Sequence, residues 1–473
     1  MHSEQAAARR IALPHPLLSR IGAVADAEGM EAYVVGGYVR DLLLGRGDND
    51  IDIVVAGDGV AFARTVGRAL GLQSVVAFER FGTAMLPFPE GKVEVVGARN
   101  ERYRSDSRKP EVASGTLRDD LQRRDFRVNA IAASINRAHF GEILDPLDGT
   151  GDLAARILRT PLDPVQTFED DPLRIMRAIR FAAQLGFVIE PRTLEALGAM
   201  KDRLSVVSQE RITDELLKLL RTAKPSVGLK LMFETGVLQL VFPEIAQMAG
   251  VDQRQDHHHK DVFLHTCTVV DNIAGTTGNV WLRFAALVHD IAKPRTKAYR
   301  EDVGWTFHGH EEVGARMMKK IFTRLKLPMD PLAYVEKLVR FHLRPMVLVG
   351  EAVTDSAVRR LVFETGNDID DLMKLCRADI TSKNPRLVSS YLRNYEVVMR
   401  KIAEVEEKDR LRNWQPPVRG DEIMEVCGLQ QGKKVGILKK AIEEAVLDGR
   451  IPNEHDAALR YLLSIKEVIL QKE

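Results

Sequence analysis

Three acidic residues stand where strands are expected to be apolar. Asp50 and Asp52 interrupt DIDIVV, and Glu94 interrupts KVEVV. Residues two apart on a strand point to the same face, about 6.5–7 Å apart, so Asp50 and Asp52 project together. Two like charges held out of water repel unless a cation neutralises them. A lone D-x-D is more often a capped strand end. Here Gly36 and Gly37 precede it and open a helix, whose first backbone N–H groups suit a phosphate, with Arg40 to reinforce them. Paired carboxylates, a phosphate cradle and a third acid suggest phosphoryl transfer with two metal ions.

Two further clusters follow. LQRRDFRVNAIA places Arg123, Arg124 and Asp125 beside an apolar run, either a solvated charge cluster or a site for ribose and triphosphate. In FEDDPLRIMRAIRF, Asp171, Arg174 and Arg177 fall at i, i+3 and i+6. On a helix the first two share a face and could simply pair. A carboxylate beside a guanidinium also matches the donors and acceptors of a nucleobase's pairing edge.

Histidines gather in the middle third: His265, the adjacent His289 and Asp290, His310 and His342, with Asp379 further on. A single histidine on an apolar helix is usually a core residue, but an adjacent His-Asp after an apolar run is harder to dismiss. The HHH run at 257–259 is not at ligand spacing and reads as surface.

The elements that must position these groups can be read coarsely. At 473 residues the chain exceeds one ordinary core. Residues 1–150 alternate short strands and helices, which predicts a mixed α/β head with a small sheet. Residues 99–118 are polar and aperiodic and read as a long mobile loop. From about Gly151 strand signals nearly vanish. The expected fold class is therefore α+β: a small-sheet head (1–150), a helical neck (151–245), a helical body (246–395) and a helical tail (396–473), with a hinge at WQPPVRG (414–420).

Composition limits the remaining options. The net charge of +1 argues neither for nor against nucleic acid, so only local patches can. Residues 316–344 carry eight Lys and Arg against two acids, a stretch that could face RNA phosphates, although a solvated helix face is the commoner meaning. Cys267, Cys376 and Cys427 are far apart, which argues against a disulfide framework and for a reducing cytoplasm. No segment reads as a signal peptide or a membrane span.

In order, GGYVRDLLLG, DIDIVV, RRDFRVNA, LDPLDGTGDL, EDDPLRIMRAIRFAAQLGF and QERITDEL resemble the class II nucleotidyltransferases, the bacterial CCA-adding enzymes and poly(A) polymerases of the polymerase-β superfamily. The resemblance implies a polymerase-β-like head in which Asp50 and Asp52 bind metal and Glu94 supplies the third acid. Gly36, Gly37 and Arg40 would hold the triphosphate, and Arg124 and Asp125 the ribose. Asp171 and Arg174 would select CTP or ATP as an amino-acid template, with Arg177 beside them and Glu210 and Arg211 bracing their helix. Carboxylate, phosphate and water ligands favour Mg2+. The head departs from the usual pattern at VEVVGAR and at Arg127.

Residues 261–385 resemble the HD superfamily of metal-dependent phosphohydrolases. This implies His265, His289, Asp290 and Asp379 as metal ligands, with His310 and His342 as additional ligands or binders of a second metal. Imidazole with carboxylate suits Mn, Fe, Ni or Zn. The site would hydrolyse phosphoesters, such as a 2′,3′-cyclic phosphate at a damaged tRNA end, or survive as a structural relic. The tail resembles the family's C-terminal segment, which implies contact with the tRNA elbow by shape and backbone. Together the expectations are CCA addition to tRNA from CTP and ATP by a cytoplasmic monomer or homodimer. Alternatives are an A-adding or CC-adding enzyme, a poly(A) polymerase, or phosphohydrolysis as the main activity. The RYRSDSRKP loop resembles the one associated with A addition and favours the full triplet.

Overall fold

The computed structural model describes residues 9–47, 50–79, 82–89, 91–104, 107–255, 258–302, 304–347, 354–381, 384–409 and 416–470. His257 of the histidine run, and Trp414 and Gln415 of the expected hinge, lie outside them. The chain divides into two compact units, one of residues 1–219 and 227–241, the other of 220–226 and 242–473.

The first unit is built on a seven-stranded sheet. Its strands are β1 (Ala32–Val35), β2 (Ile51–Val55), β3 (Val76–Phe78), β4 (Thr83–Phe88), β5 (Gly91–Gly97), then β8 (Ala132–Ser134) and β9 (Ile143–Leu144), in the order β3-β4-β5-β2-β1-β8-β9. Central β2 runs antiparallel to β1 and parallel to β5. Ile51, Ile53 and Val55 are buried, as a strand enclosed by neighbours requires. The helix α1 (Pro16–Ala27) precedes the sheet, α2 (Gly37–Leu43) joins β1 to β2, and α3 (Gly59–Ala69) packs on β4 and β5.

The segment expected to be a mobile loop is instead a hairpin of β6 (Arg99–Arg104) and β7 (Ser107–Ser114). Its sequence lacks the apolar/polar alternation that betrays a half-buried strand, and the backbone pairing is what defines it.

After α4 (Leu117–Gln122) and α5 (Gly149–Ala155), the helices α6 (Pro164–Asp170), α7 (Leu173–Leu185), α8 (Pro191–Ala199) and α9 (Gln209–Leu220) carry the chain out of the head. A two-residue parallel pairing of Ile157–Leu158 with Val188–Ile189 is one of the few strands beyond residue 150. Pro172 separates α6 from α7 and disfavours helical geometry in the residue before it. Asp171 is accordingly extended, at φ −138° and ψ 98°. The i, i+3, i+6 reading is corrected on this point: Asp171 stands just ahead of the helix that bears Arg174 and Arg177.

The second unit is helical, with small hairpins. Phe242, Phe284 and Phe322 are fully buried at its centre, the last two meeting edge to face at 5.7 Å. The basic stretch 316–344 is largely neutralised within the fold. Arg316 and Arg340 pair with Glu312, Arg324 with Glu244, Lys337 with Asp368, and Arg344 with Glu364. Helices Gly420–Cys427, Lys433–Leu447 and His455–Leu470 close on their own core of Ile423, Leu438, Ile442 and Leu462. Among the described residues no helix is long and apolar enough to cross a membrane.

Candidate nucleotide pocket and candidate metal centre

A cavity of about 510 Å³ in the first unit gathers Gly36, Gly37, Arg40, Asp50, Asp52, Arg124, Asp125, Asp171, Arg174 and Arg177. Glu94 does not line it. Glu94 is the direct partner of Asp52 on the neighbouring strand β5, about 4.8 Å away in backbone spacing, and is exposed. Asp50 precedes β2 rather than lying within it and is exposed at the cavity's edge.

The cradle differs from expectation in its details. Gly36 has φ +74° and ψ −131°, a conformation that only glycine adopts without strain. A Cβ there would stand 2.9 Å from Arg124 Nη1 and 3.8 Å from Asp52 Oδ2. The glycine therefore lets the carboxylate and the guanidinium approach across a bare backbone. Its own N–H is not free for a phosphate, since it donates to Ile131 O at 3.2 Å, which leaves the first turn of α2 as the donor. Arg40 is 4% exposed. It donates to both Asp41 oxygens at 2.9 and 2.6 Å and to Asn129 Oδ1 at 2.6 Å, so it braces the floor before it can reach a phosphate.

From Asn129 a chain of buried polar contacts runs through the neck. Asn129 donates to Asp125 Oδ1 at 2.9 Å, and Asp125 Oδ2 accepts from Arg177 Nε at 2.8 Å and Nη2 at 2.6 Å. Glu215 lies 4.0 Å from Arg177 and accepts from Arg180 Nε at 2.5 Å. Burial alone would raise the Asp125 pKa. The Arg177 guanidinium and the Asn129 amide outweigh it and hold the carboxyl at about 2. Asp125 thus anchors Arg177. On α9 the brace is Glu215, 2% exposed, while Glu210 and Arg211 are exposed. Asp41, Asn129, Arg180 and Glu215 were not picked out from the sequence. A buried-face acid in the amphipathic QERITDELLKLL was the signal available for Glu215.

Arg124 and Arg174 are aimed by their surroundings. Asp120, fully buried, accepts from Arg124 Nε at 3.2 Å and Nη2 at 3.0 Å, leaving Nη1 toward Gly36. Arg174 is 8% exposed and donates to the carbonyls of Thr167 at 3.3 Å and Arg123 at 2.5 Å. Asp171 Oδ1 accepts the Leu173 N–H at 3.1 Å. A guanidinium has five N–H donors in a fixed plane, so the two carbonyls set the angle at which the remaining donors are presented.

The second unit brings together all six residues singled out there. His265 projects from helix Val262–Ala274, and His289 and Asp290 follow helix Val280–Val288. His310 starts helix His310–Leu325, His342 caps Leu332–Phe341, and Asp379 ends Ile369–Asp379. Asp290 joins two halves. Its Oδ2 lies 3.2 Å from His289 Nε2 and 3.7 Å from His265 Nε2, and its Oδ1 lies 3.2 and 3.7 Å from Nε2 of His310 and His342. Asp379 Oδ1 is 2.8 Å from His265 Nε2 and 3.5 Å from His289 Nε2.

Every Nδ1 is occupied elsewhere: by Thr381 Oγ1 for His265, and by the carbonyls of Ala286, Phe307 and Val339 for His289, His310 and His342. Four anchored imidazoles turning Nε2 inward is the arrangement that orients metal ligands. His289 Nε2 and Asp290 Oδ1 are buried without a hydrogen-bond partner despite their near neighbours, and such orphaned atoms call for an ion or a water. Burial would lower the His289 pKa, yet Asp290 and Asp379 raise it to about 10. The ligand atoms of His265, His289 and Asp379 lie within 4.8 Å of one another, as do those of Asp290, His310 and His342. The donor set fits one or two divalent cations.

Residues 32–159 match the poly A polymerase head domain, 186–248 a probable RNA and SrmB-binding site of polymerase A, and 262–381 the HD domain. An A-adding tRNA nucleotidyltransferase of Deinococcus radiodurans is 33% identical over 90% of this chain and 94% of its own length. A CC-adding tRNA nucleotidyltransferase of Thermus thermophilus is 32% identical over 90% and 92%. A multifunctional CCA protein of Verminephrobacter eiseniae is 35% identical over 66% and 74%. Among solved structures, a CCA-adding enzyme in complex with ATP superimposes with a TM-score of 0.61 at 25% identity, covering 95% of each chain. With a relative 33% identical aligned over nine-tenths of its length, the chain belongs to the tRNA nucleotidyltransferase and poly(A) polymerase family.

Proposed function

We propose that this protein completes or repairs the 3′ end of tRNA by adding C, C and A from CTP and ATP without a nucleic-acid template. The observation that carries the reading is that one cavity is lined together by Gly36, Asp50, Asp52, Arg124, Asp171 and Arg174. The reaction joins the tRNA 3′-oxygen to the α-phosphorus of the nucleoside triphosphate, breaks the bond to the β-phosphate and releases pyrophosphate.

Asp50 and Asp52, hard oxygen donors at the cavity's edge with Glu94 beside them, would hold Mg2+. Held by these carboxylates, a divalent cation would supply Lewis acidity toward the attacking hydroxyl and positive charge against the phosphates. The first turn of α2 and Arg124 bind the triphosphate. Arg174, fixed by two carbonyls, and Asp171, fixed by the Leu173 N–H, meet the pairing edge of the base. Replacing Asp52 by Ala is expected to abolish incorporation of labelled CTP while leaving the thermal transition intact. Retained incorporation by the purified variant refutes the assignment.

A narrower specificity is the second reading. The two relatives that align over 90% of this chain are named as A-adding and CC-adding enzymes. The hairpin β6–β7, ordered by pairing from Arg99↔Ser114 to Arg104↔Ser107, is the element whose sequence favours the full triplet. In the second unit, the shared Asp290 supports metal-dependent phosphoester hydrolysis at the His/Asp centre, with Mn, Fe, Ni or Zn suited to its donors.

A further inference from the structure

Between Asp290 and His310 the chain leaves the helices as a short hairpin, Ala298–Arg300 paired with Gly304–Thr306. Tyr299 and Trp305 are direct cross-strand partners, with ring centroids 5.3 Å apart and planes at 72°. Such a pair stabilises a hairpin by itself. Here, however, both rings stay open to solvent, at 60% and 41% exposure. Lys297 Nζ lies 4.5 Å from the centre of the Trp305 ring and Arg295 is exposed nearby, while Arg300 pairs with Asp302 at 3.2 Å. Open aromatic faces flanked by cations have the chemistry that stacks a nucleobase and receives its phosphate.

The segments that flank the hairpin, helix Lys293–Thr296 before it and Phe307 after it, contact the metal centre. Upstream, Lys293 Nζ donates to Asp290 Oδ2 at 2.6 Å. Downstream, the carbonyl of Phe307 holds His310 Nδ1 at 2.7 Å, and Trp305 is two residues from Phe307, about 7 Å of extended chain. We propose that Tyr299 and Trp305 form a nucleobase-stacking subsite of the His/Asp centre, whose phosphoester substrate is therefore a nucleotide, free or at the end of an RNA chain. The substrate assignment rests on the reading of that centre as a metal-dependent hydrolase; the stacking does not.

Trp305 fluorescence tests the subsite without interference from the head, whose nucleotide pocket is lined by no tryptophan. Titration of the full-length, metal-loaded protein with adenosine 2′,3′-cyclic phosphate is expected to quench emission saturably. Glycerol 2-phosphate should leave it unchanged, and Trp305→Phe should remove the signal. Tyr299→Ala should weaken the nucleotide about tenfold, the scale of one lost stacking contact. An oligoribonucleotide with the same cyclic end separates the two sources: tighter binding than the mononucleotide assigns the subsite to RNA ends, and equal binding to free nucleotides. Equal quenching by the base-free ester, or unchanged affinity in Tyr299→Ala, overturns the proposal and leaves the pair as a hairpin contact. If quenching follows expectation but no phosphoester is cleaved, the hydrolase reading fails while the stacking subsite stands.

Discussion

Truncating Glu215 to Ala isolates the network behind the nucleotide pocket. The carboxylate is 2% exposed and its partner Arg180 is 7% exposed. Removing one member of a buried pair costs about 3–5 kcal/mol, because the other charge is left without compensation. Arg180 keeps two contacts, Gln184 Oε1 at 2.6 Å and the Phe181 ring at 4.0 Å, and Arg177 keeps Asp125. The lower end, about 3 kcal/mol, is therefore expected. For a unit of this size that is a fall in Tm of roughly 6–12 °C. Glu215→Gln retains an acceptor without the charge and should fall between wild type and Ala. Arg177 and Arg180 both line the pocket, so KM for the incoming nucleotide should rise in the same order. Differential scanning calorimetry and steady-state CTP and ATP incorporation on the same preparations provide the readouts. If Glu215→Ala melts with the wild type and keeps its KM, the buried network does not position the pocket.

Gly36→Ala should cost about 1–3 kcal/mol of backbone strain and displace Arg124, whose Nη1 stands 2.9 Å from the new Cβ. Expected is a lower Tm and a loss of kcat/KM for CTP of about tenfold or more. Asp125 has its pKa depressed from 3.8 to about 2 in the fold. Its contribution is therefore complete above about pH 4 and lost as pH falls toward 2, worth about 2 kcal/mol. Urea midpoints at pH 5 and pH 2.5 should differ by less in Asp125→Asn than in wild type. In the second unit, elemental analysis should find bound transition metal in wild type. His289→Ala should lose it while retaining nucleotide addition, and a metal-free wild type would contradict the assignment.

Much of the site was legible because its signals are local. Gly36, Asp50 and Asp52 lie within 17 residues of one another, and their types betray them against an apolar strand. The six metal-centre residues were legible one by one, although it takes five helices to bring them within reach. Less legible were contacts that depend on tertiary geometry. Arg40 and Asp125 look like ligand-binding groups in sequence, but Asn129 and Arg177 commit them to the framework. The displacement of Asp171 from the helix was readable from Pro172, had its effect on the preceding residue been weighed against the helical spacing. The β6–β7 hairpin could not be seen as strands, since its sequence carries no apolar/polar alternation.

The central claim is tested most directly on tRNA transcripts. One should end at the base preceding the CCA triplet and a second should end in CC, each incubated with CTP and ATP separately and together, with the product 3′ ends sequenced. The account predicts CC from CTP alone on the first, A from ATP on the second, and addition that stops at CCA with both nucleotides. Addition of A only to the CC-ending transcript would restrict the enzyme to the last step, and arrest at CC with both nucleotides would restrict it to the first two. Open-ended tails, or no addition to either transcript, would contradict the account.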